Sequence, residues 1–139
     1  VKMEMHGIGD KANRGIIKVD GRGLKSKNDK RWRIEHTQIG TPEDVKYCGE
    51  YNIVPSVQPT HATSDMNWAG TRLGKERLKT AYAYKKLLDQ NAWLPLGTDF
   101  PVENSKPMYT FYAAVLRTNL KGLPENGFQM ENAIGRTEA

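Results

Sequence analysis

Apolar and polar residues alternate along VKMEMH, residues 1–6, placing Met3 and Met5 on one face and Lys2, Glu4 and His6 on the other. A period of two predicts a strand. Three further segments read as strands: RWRIEH (31–36), NIVPSVQ (52–58) and AWLPLGTD (92–99). Pro55 and Pro95 sit inside the last two, where each removes a ladder hydrogen bond, so those strands should be short or gapped. A helix-like segment follows each strand. Asp10 offers an N-cap ahead of Ala12, Ile16 and Ile17, and Gly21 and Gly23 should break that stripe. In TPEDVKYCGEY the threonine cap, the proline and the early acids predict a helix starting near Pro42. PTHATSDMNWAGTRLG, residues 59–74, reads as a long polar loop, and a helix should run from about Lys75 to Gln90. PMYTFYAAVLRTNL spaces Met108, Phe111, Tyr112, Val115 and Leu116 at i, i+3, i+4, i+7 and i+8, the clearest amphipathic helix in the chain, with Gly122 as its stop.

Strand and helix alternating four times predict an α/β fold of parallel βα units with right-handed crossovers. The 139 residues, 37% hydrophobic and 27% charged, fit one globular domain. No apolar run approaches the roughly 18 residues of a membrane span, and the N-terminus lacks the pattern of a secretory signal. No membrane partner is expected, and the cytoplasm is the default location. The single cysteine, Cys48, excludes an internal disulfide framework and reads as a small buried helix residue. Much of the net charge of +5 lies in GRGLKSKNDKRWR, residues 21–33. A basic surface attracts phosphate. Without finger, basic-heptad or RNA-binding aromatic patterns, however, this stretch reads as a solvated connector, and no nucleic-acid partner is expected.

The polar residues of interest fall where the strands end. His6 closes the first, His36 the second, Gln58, Thr60 and His61 follow the third, and Asp99 closes the fourth. In parallel α/β folds the carboxyl ends of strands share one face. Histidines scattered at random would rarely all land there. Imidazole nitrogen and carboxylate oxygen are ligand types for zinc and related divalent ions, and an aspartate beside an activated water can move its proton. Taken singly, each histidine is more often a hydrogen-bonded core or loop residue, His36 beside Trp32 included. Asp99 alone could cap the turn at Pro101.

The blocks MHGIGDKANR, RWRIEHTQ, PSVQPTHATSDMNWA, RLGKERLKTAYAYKKLLD and LPLGTDFPVE, in this order from residue 3 to about 120, resemble the C-terminal half of the amidohydrolase superfamily, specifically its YtcJ-like metal-dependent hydrolases. The resemblance implies the C-terminal half of a (β/α)8 TIM-type barrel, with the four strands as its fifth to eighth. It implies that His6 and His36 are metal ligands and that Asp99 contacts the metal and shuttles the proton of the attacking water. Gln58, Thr60 and His61 would line the substrate side. The cofactor implied is a divalent metal, zinc first, and the reaction is hydrolysis of amide-type C–N bonds in small molecules.

The family pattern also carries a His-x-His pair on its first strand and usually a lysine on its fourth, and neither is found here. A whole barrel takes about 250 residues. Residues 1–139 are therefore expected to be a fragment of about four βα units, inactive by itself, that self-associates through exposed barrel edges. The alternative is a non-catalytic α/β module that binds a ligand or partner at the same face.

Overall fold

The computed structural model describes residues 1–139. In chain order the elements are β1 (Glu4–Gly7), α1 (Asp10–Leu24), β2 (Arg33–His36), α2 (Pro42–Tyr51), β3 (Val54–Ser56), α3 (Pro59–Leu78), α4 (Tyr84–Asn91) and α5 (Pro107–Leu116), followed by a single 3-10 turn at Met130–Asn132. The chain divides into two compact units, residues 1–57 with 86–95 and residues 58–85 with 96–139. No helix is long and apolar enough to cross a membrane.

The first unit holds a parallel three-stranded sheet in the order β1-β2-β3. Gly7 is the register partner of His36 and Glu35 that of Ser56. Ile17 and Leu24 of α1 pack with Ile34, Cys48 and Ile53, and Ile16, Trp32 and Tyr51 close over them. Cys48 is fully buried as expected, and burial, then Asp44 and Asp20, pushes its thiol up to about 12. The helix expected near Pro42 is present: Thr41 and Asp44 form a reciprocal capping box that satisfies backbone donors at its start. Three expectations are corrected here. Gly9, not Asp10, is the N-cap of α1. The helix also runs through Gly21 and Gly23 to Leu24, because tertiary packing wants no side chain there: a Cβ on Gly21 would lie 2.9 Å from the Tyr51 ring and one on Gly23 3.0 Å from Trp32. The fourth strand is reduced to one bridging residue, Leu96, within 93–99. Pro95 has no N–H to give, and its carbonyl accepts the Val57 N–H at 3.1 Å.

In the second unit the expected polar loop 59–74 is the first four-fifths of α3. Pro59 sets the first turn, and the hydroxyls of Thr63 and Ser64 reach the Thr60 carbonyl at 3.0 and 2.8 Å, so these polar side chains satisfy themselves on the helix backbone. Gly74, at φ 75° and ψ 165°, breaks the helical path. The helix expected over 75–90 is accordingly split into the end of α3 and the separate α4. The expected amphipathic helix is present as α5 and ends at Leu116, where Arg117 takes a left-handed conformation, well before Gly122. Its buried side is not the predicted stripe. Thr110, Ala113 and Ala114 face inward, whereas Met108 and Leu116 are exposed and help line an open groove of about 490 Å³.

Arg117 itself is wholly buried. Its guanidinium donates to the carbonyls of Phe128 and Tyr82 and to Gln129 Oε1, and lies over the rings of Tyr84 and Phe128. Burial lowers its pKa, against the opposing pull of Tyr84. A positive charge enclosed by carbonyl dipoles and ring faces ties the irregular segment after α5 to this unit.

Candidate functional site

Two clusters of the expected site residues form, one in each unit. In the first, β1 delivers His6 and β2 delivers His36 to the carboxyl ends of adjacent parallel strands. The rings lie edge to face with centroids 4.6 Å apart. His36 is buried and His6 exposed. The last residue of β2 carries φ 74° and Thr37 follows at φ 42°. Left-handed backbone at consecutive non-glycine residues is uncommon, and strain of this kind gathers at functional sites. Arg33 and Glu35 alternate with Ile34 and His36 along the strand, and they pair with each other as the alternation predicts, with Glu4 adding to Arg33 at 3.0 Å.

The second cluster centres on His61, the third residue of α3, whose ring is nearly buried. Its Nε2 lies 3.0 Å from Asp99 Oδ2. On the far side of the ring, Nδ1 lies 3.4 Å from Glu103 Oε1. Glu103 Oε1 also meets the hydroxyl of Ser64, one turn along α3. Asp99 is left-handed at φ 56°, and its carbonyl accepts the N–H groups of Val102 at 2.8 Å and Glu103 at 3.3 Å. That tight turn returns Glu103 beside Asp99, so two carboxylates flank one imidazole. The side chain of Asp99 is thus directed to His61 rather than capping the turn at Pro101.

Gln58 and Thr60, the other residues expected on the substrate side, are buried at the start of α3. The Gln58 carbonyl accepts the Tyr84 hydroxyl at 3.1 Å, and the buried Thr60 hydroxyl has no hydrogen-bond partner within the chain. Trp68 projects from α3 and is about half exposed. Sequence reasoning missed Ser64 and Glu103. Their signal was present in the spacings His61 to Ser64 and Asp99 to Glu103, but it becomes readable only once residues 59–74 are taken as helix and Asp99–Glu103 as a turn.

Imidazole nitrogen is a ligand type for divalent metal ions, and the paired rings of His6 and His36 bring two such donors side by side.

The sequence model of the amidohydrolase family matches residues 1–139. Among curated proteins, the chain is 38% identical over 120 residues to Protein LONG AFTER FAR-RED 3 of Arabidopsis thaliana, covering 84% of this chain and 21% of that protein. It is 32% identical over 117 residues to the putative amidohydrolase YtcJ of Bacillus subtilis, covering 84% and 22%. The chain therefore spans about a fifth of the length of these relatives. Among solved structures, an uncharacterized metal-dependent hydrolase from Pyrococcus horikoshii superposes with a TM-score of 0.77 at 28% identity, over 96% of this chain and 26% of that one.

Proposed function

This chain belongs to the amidohydrolase family, and we propose that it is part of a metal-dependent hydrolase that cleaves amide-type C–N bonds of small molecules. In that reading its βα units are the C-terminal half of a (β/α)8 barrel, and further ligands come from residues outside these 139. His6 and His36 would hold a divalent metal, zinc by the donor types, with Asp99 as the carboxylate partner. When bound, such an ion polarises a carbonyl and lowers the pKa of water toward ~7.

The chain's own residues supply the rest. Asp99 takes the proton of the attacking water and returns it to the departing nitrogen. His61 engages Oδ2 of Asp99, which leaves Oδ1 for that exchange. The hydroxyl of Thr60, buried without a partner in the chain, is suited to a polar group of the substrate, with Gln58 beside it. By itself the chain turns over little, since the His-x-His pair and the lysine of the family pattern are not among its residues.

The observation that carries the reading is the pair of imidazoles, His6 and His36, set edge to face at the carboxyl ends of adjacent strands. Calorimetric titration of the chain with zinc tests it. Binding that weakens tenfold or more in both His6→Ala and His36→Asn is the expected result. No binding by the unaltered chain, or equal binding by the variants, would overturn it.

A further inference from the structure

His61 is a ring held at both ends. Nε2 meets Asp99 at 3.0 Å and Nδ1 meets Glu103 at 3.4 Å. A histidine ring rotates freely about its last bond unless something fixes it, and what fixes one nitrogen is the partner of the other. Asp99 cannot do both jobs, because it contacts only Nε2. From these contacts we infer that Glu103 is a positioning residue: with Ser64, it holds the His61 ring so that Nε2 stays aimed at Oδ2 of Asp99.

Three features support this assignment. Glu103 is itself located twice, through its N–H on the Asp99 carbonyl at 3.3 Å and through its side chain on the Ser64 hydroxyl. Ser64 follows His61 by three residues on α3, so the helix sets the spacing between the ring and the hydroxyl that steadies its partner. The contact to Glu103 is also long for an N–H···O bond, whose usual length is about 2.9–3.0 Å, whereas the contact to Asp99 is of normal length. The division suits an orienting contact on one side and a working one on the other. The inference rests on Asp99 being the residue that handles the proton, and it adds the two residues that keep Asp99's partner in place.

A ring nitrogen held against a carboxylate keeps its proton long enough for an NMR signal far downfield, and this readout needs neither metal nor turnover. The inference can therefore fail while zinc titration succeeds, and the reverse. In the ¹⁵N-labelled chain, a downfield imidazole N–H signal that disappears in His61→Gln identifies the ring. Glu103→Ala should abolish that signal with the chain still folded by circular dichroism. Glu103→Gln, whose side-chain amide can still bond Nδ1 and accept from Ser64, should restore it, and Ser64→Ala should broaden it at least twofold. Persistence of an unchanged signal in Glu103→Ala, or its absence from the unaltered chain, would overturn the inference. Should Glu103→Ala not fold, Ser64→Ala decides: an unchanged linewidth there overturns it.

Discussion

The ring of His6 packs against the ring of His36 with planes at 75°, although the two residues are not register partners. His36 stands opposite Gly7, and His6 opposite Glu35. The space beside Gly7 is taken by Asn13 and Ile16 of α1, and His36 closes its strand at a left-handed φ of 74°. A Cβ on Gly7 would lie 2.5 Å from Asn13 Oδ1 and 2.9 Å from Ile16 Cδ1, so no other residue fits there. Ligand loss and backbone strain can be separated at this position. Asparagine accepts left-handed φ more readily than most residues, so His36→Asn should melt within about 0.5 kcal/mol of the unaltered chain and yet lose zinc binding tenfold or more. His36→Ala should lose the same binding and in addition about 1 kcal/mol of stability, from alanine held at positive φ. Thermal melts alongside zinc titration check both.

Two glycines of α1 should respond oppositely to one substitution. Nothing lies within 4 Å of a Cβ built on Gly15, whereas one on Gly21 meets Tyr51 at 2.9 Å. Gly15→Ala should stabilise the fold by about 0.5–1 kcal/mol through helix propensity alone. Gly21→Ala should destabilise it by roughly 1 kcal/mol or more, because displacing Tyr51 outweighs the same gain. Urea unfolding midpoints give both signs in one experiment.

Asp20 lies on the buried side of α1 at 1% exposure, and neither carboxylate oxygen has a hydrogen-bond partner. Burial raises its pKa from 3.8 to about 6. The native carboxyl therefore keeps a proton that the unfolded chain releases near 3.8, and between those values the native state binds more protons. Stability should fall as pH rises from about 4 to about 6 and level off above. Asp20→Asn should remove that fall, gaining roughly 1–3 kcal/mol at pH 7 and nothing at pH 3.5. Denaturation across this pH range would show the two curves converging at the acid end.

How much of this was legible in the residues depended on whether local signals and packing agreed. The capping box at Thr41 and Asp44 is written entirely in sequence, and α2 formed where it said. His6 and His36 were legible because a strand's end is marked by where its alternation stops. Residues 59–74 misled because threonine, serine and asparagine favour turns in isolation, and their hydroxyls instead closed onto α3's own carbonyls. Gly21 and Gly23 misled for the opposite reason, since the space they leave is filled by Tyr51 and Trp32, residues distant in sequence. Glu103 depended on the turn at Asp99, and no local periodicity announces that turn.

The helix α5 carries the sharpest reversal and the last prediction. Its hydrophobic stripe was the strongest pattern in the chain, yet Met108 is 67% and Leu116 40% exposed, while Ala113 and Ala114 are at 2% and 0%. α5 packs against α3, and on its buried side the Ala114 carbonyl accepts the Ile134 N–H of the C-terminal segment at 2.9 Å. Mutational cost should therefore follow the alanines and not the stripe. Met108→Lys and Leu116→Gln should each change stability by no more than about 0.5 kcal/mol. Ala113→Leu and Ala114→Leu should each cost about 1–3 kcal/mol, because the added atoms push against a contact with no room to yield. A set of four melting curves tests the reversal. If the stripe variants proved the costly pair, then α5 would be turned by about half a revolution from the orientation described, and the packing of α3 against it would have to be redrawn.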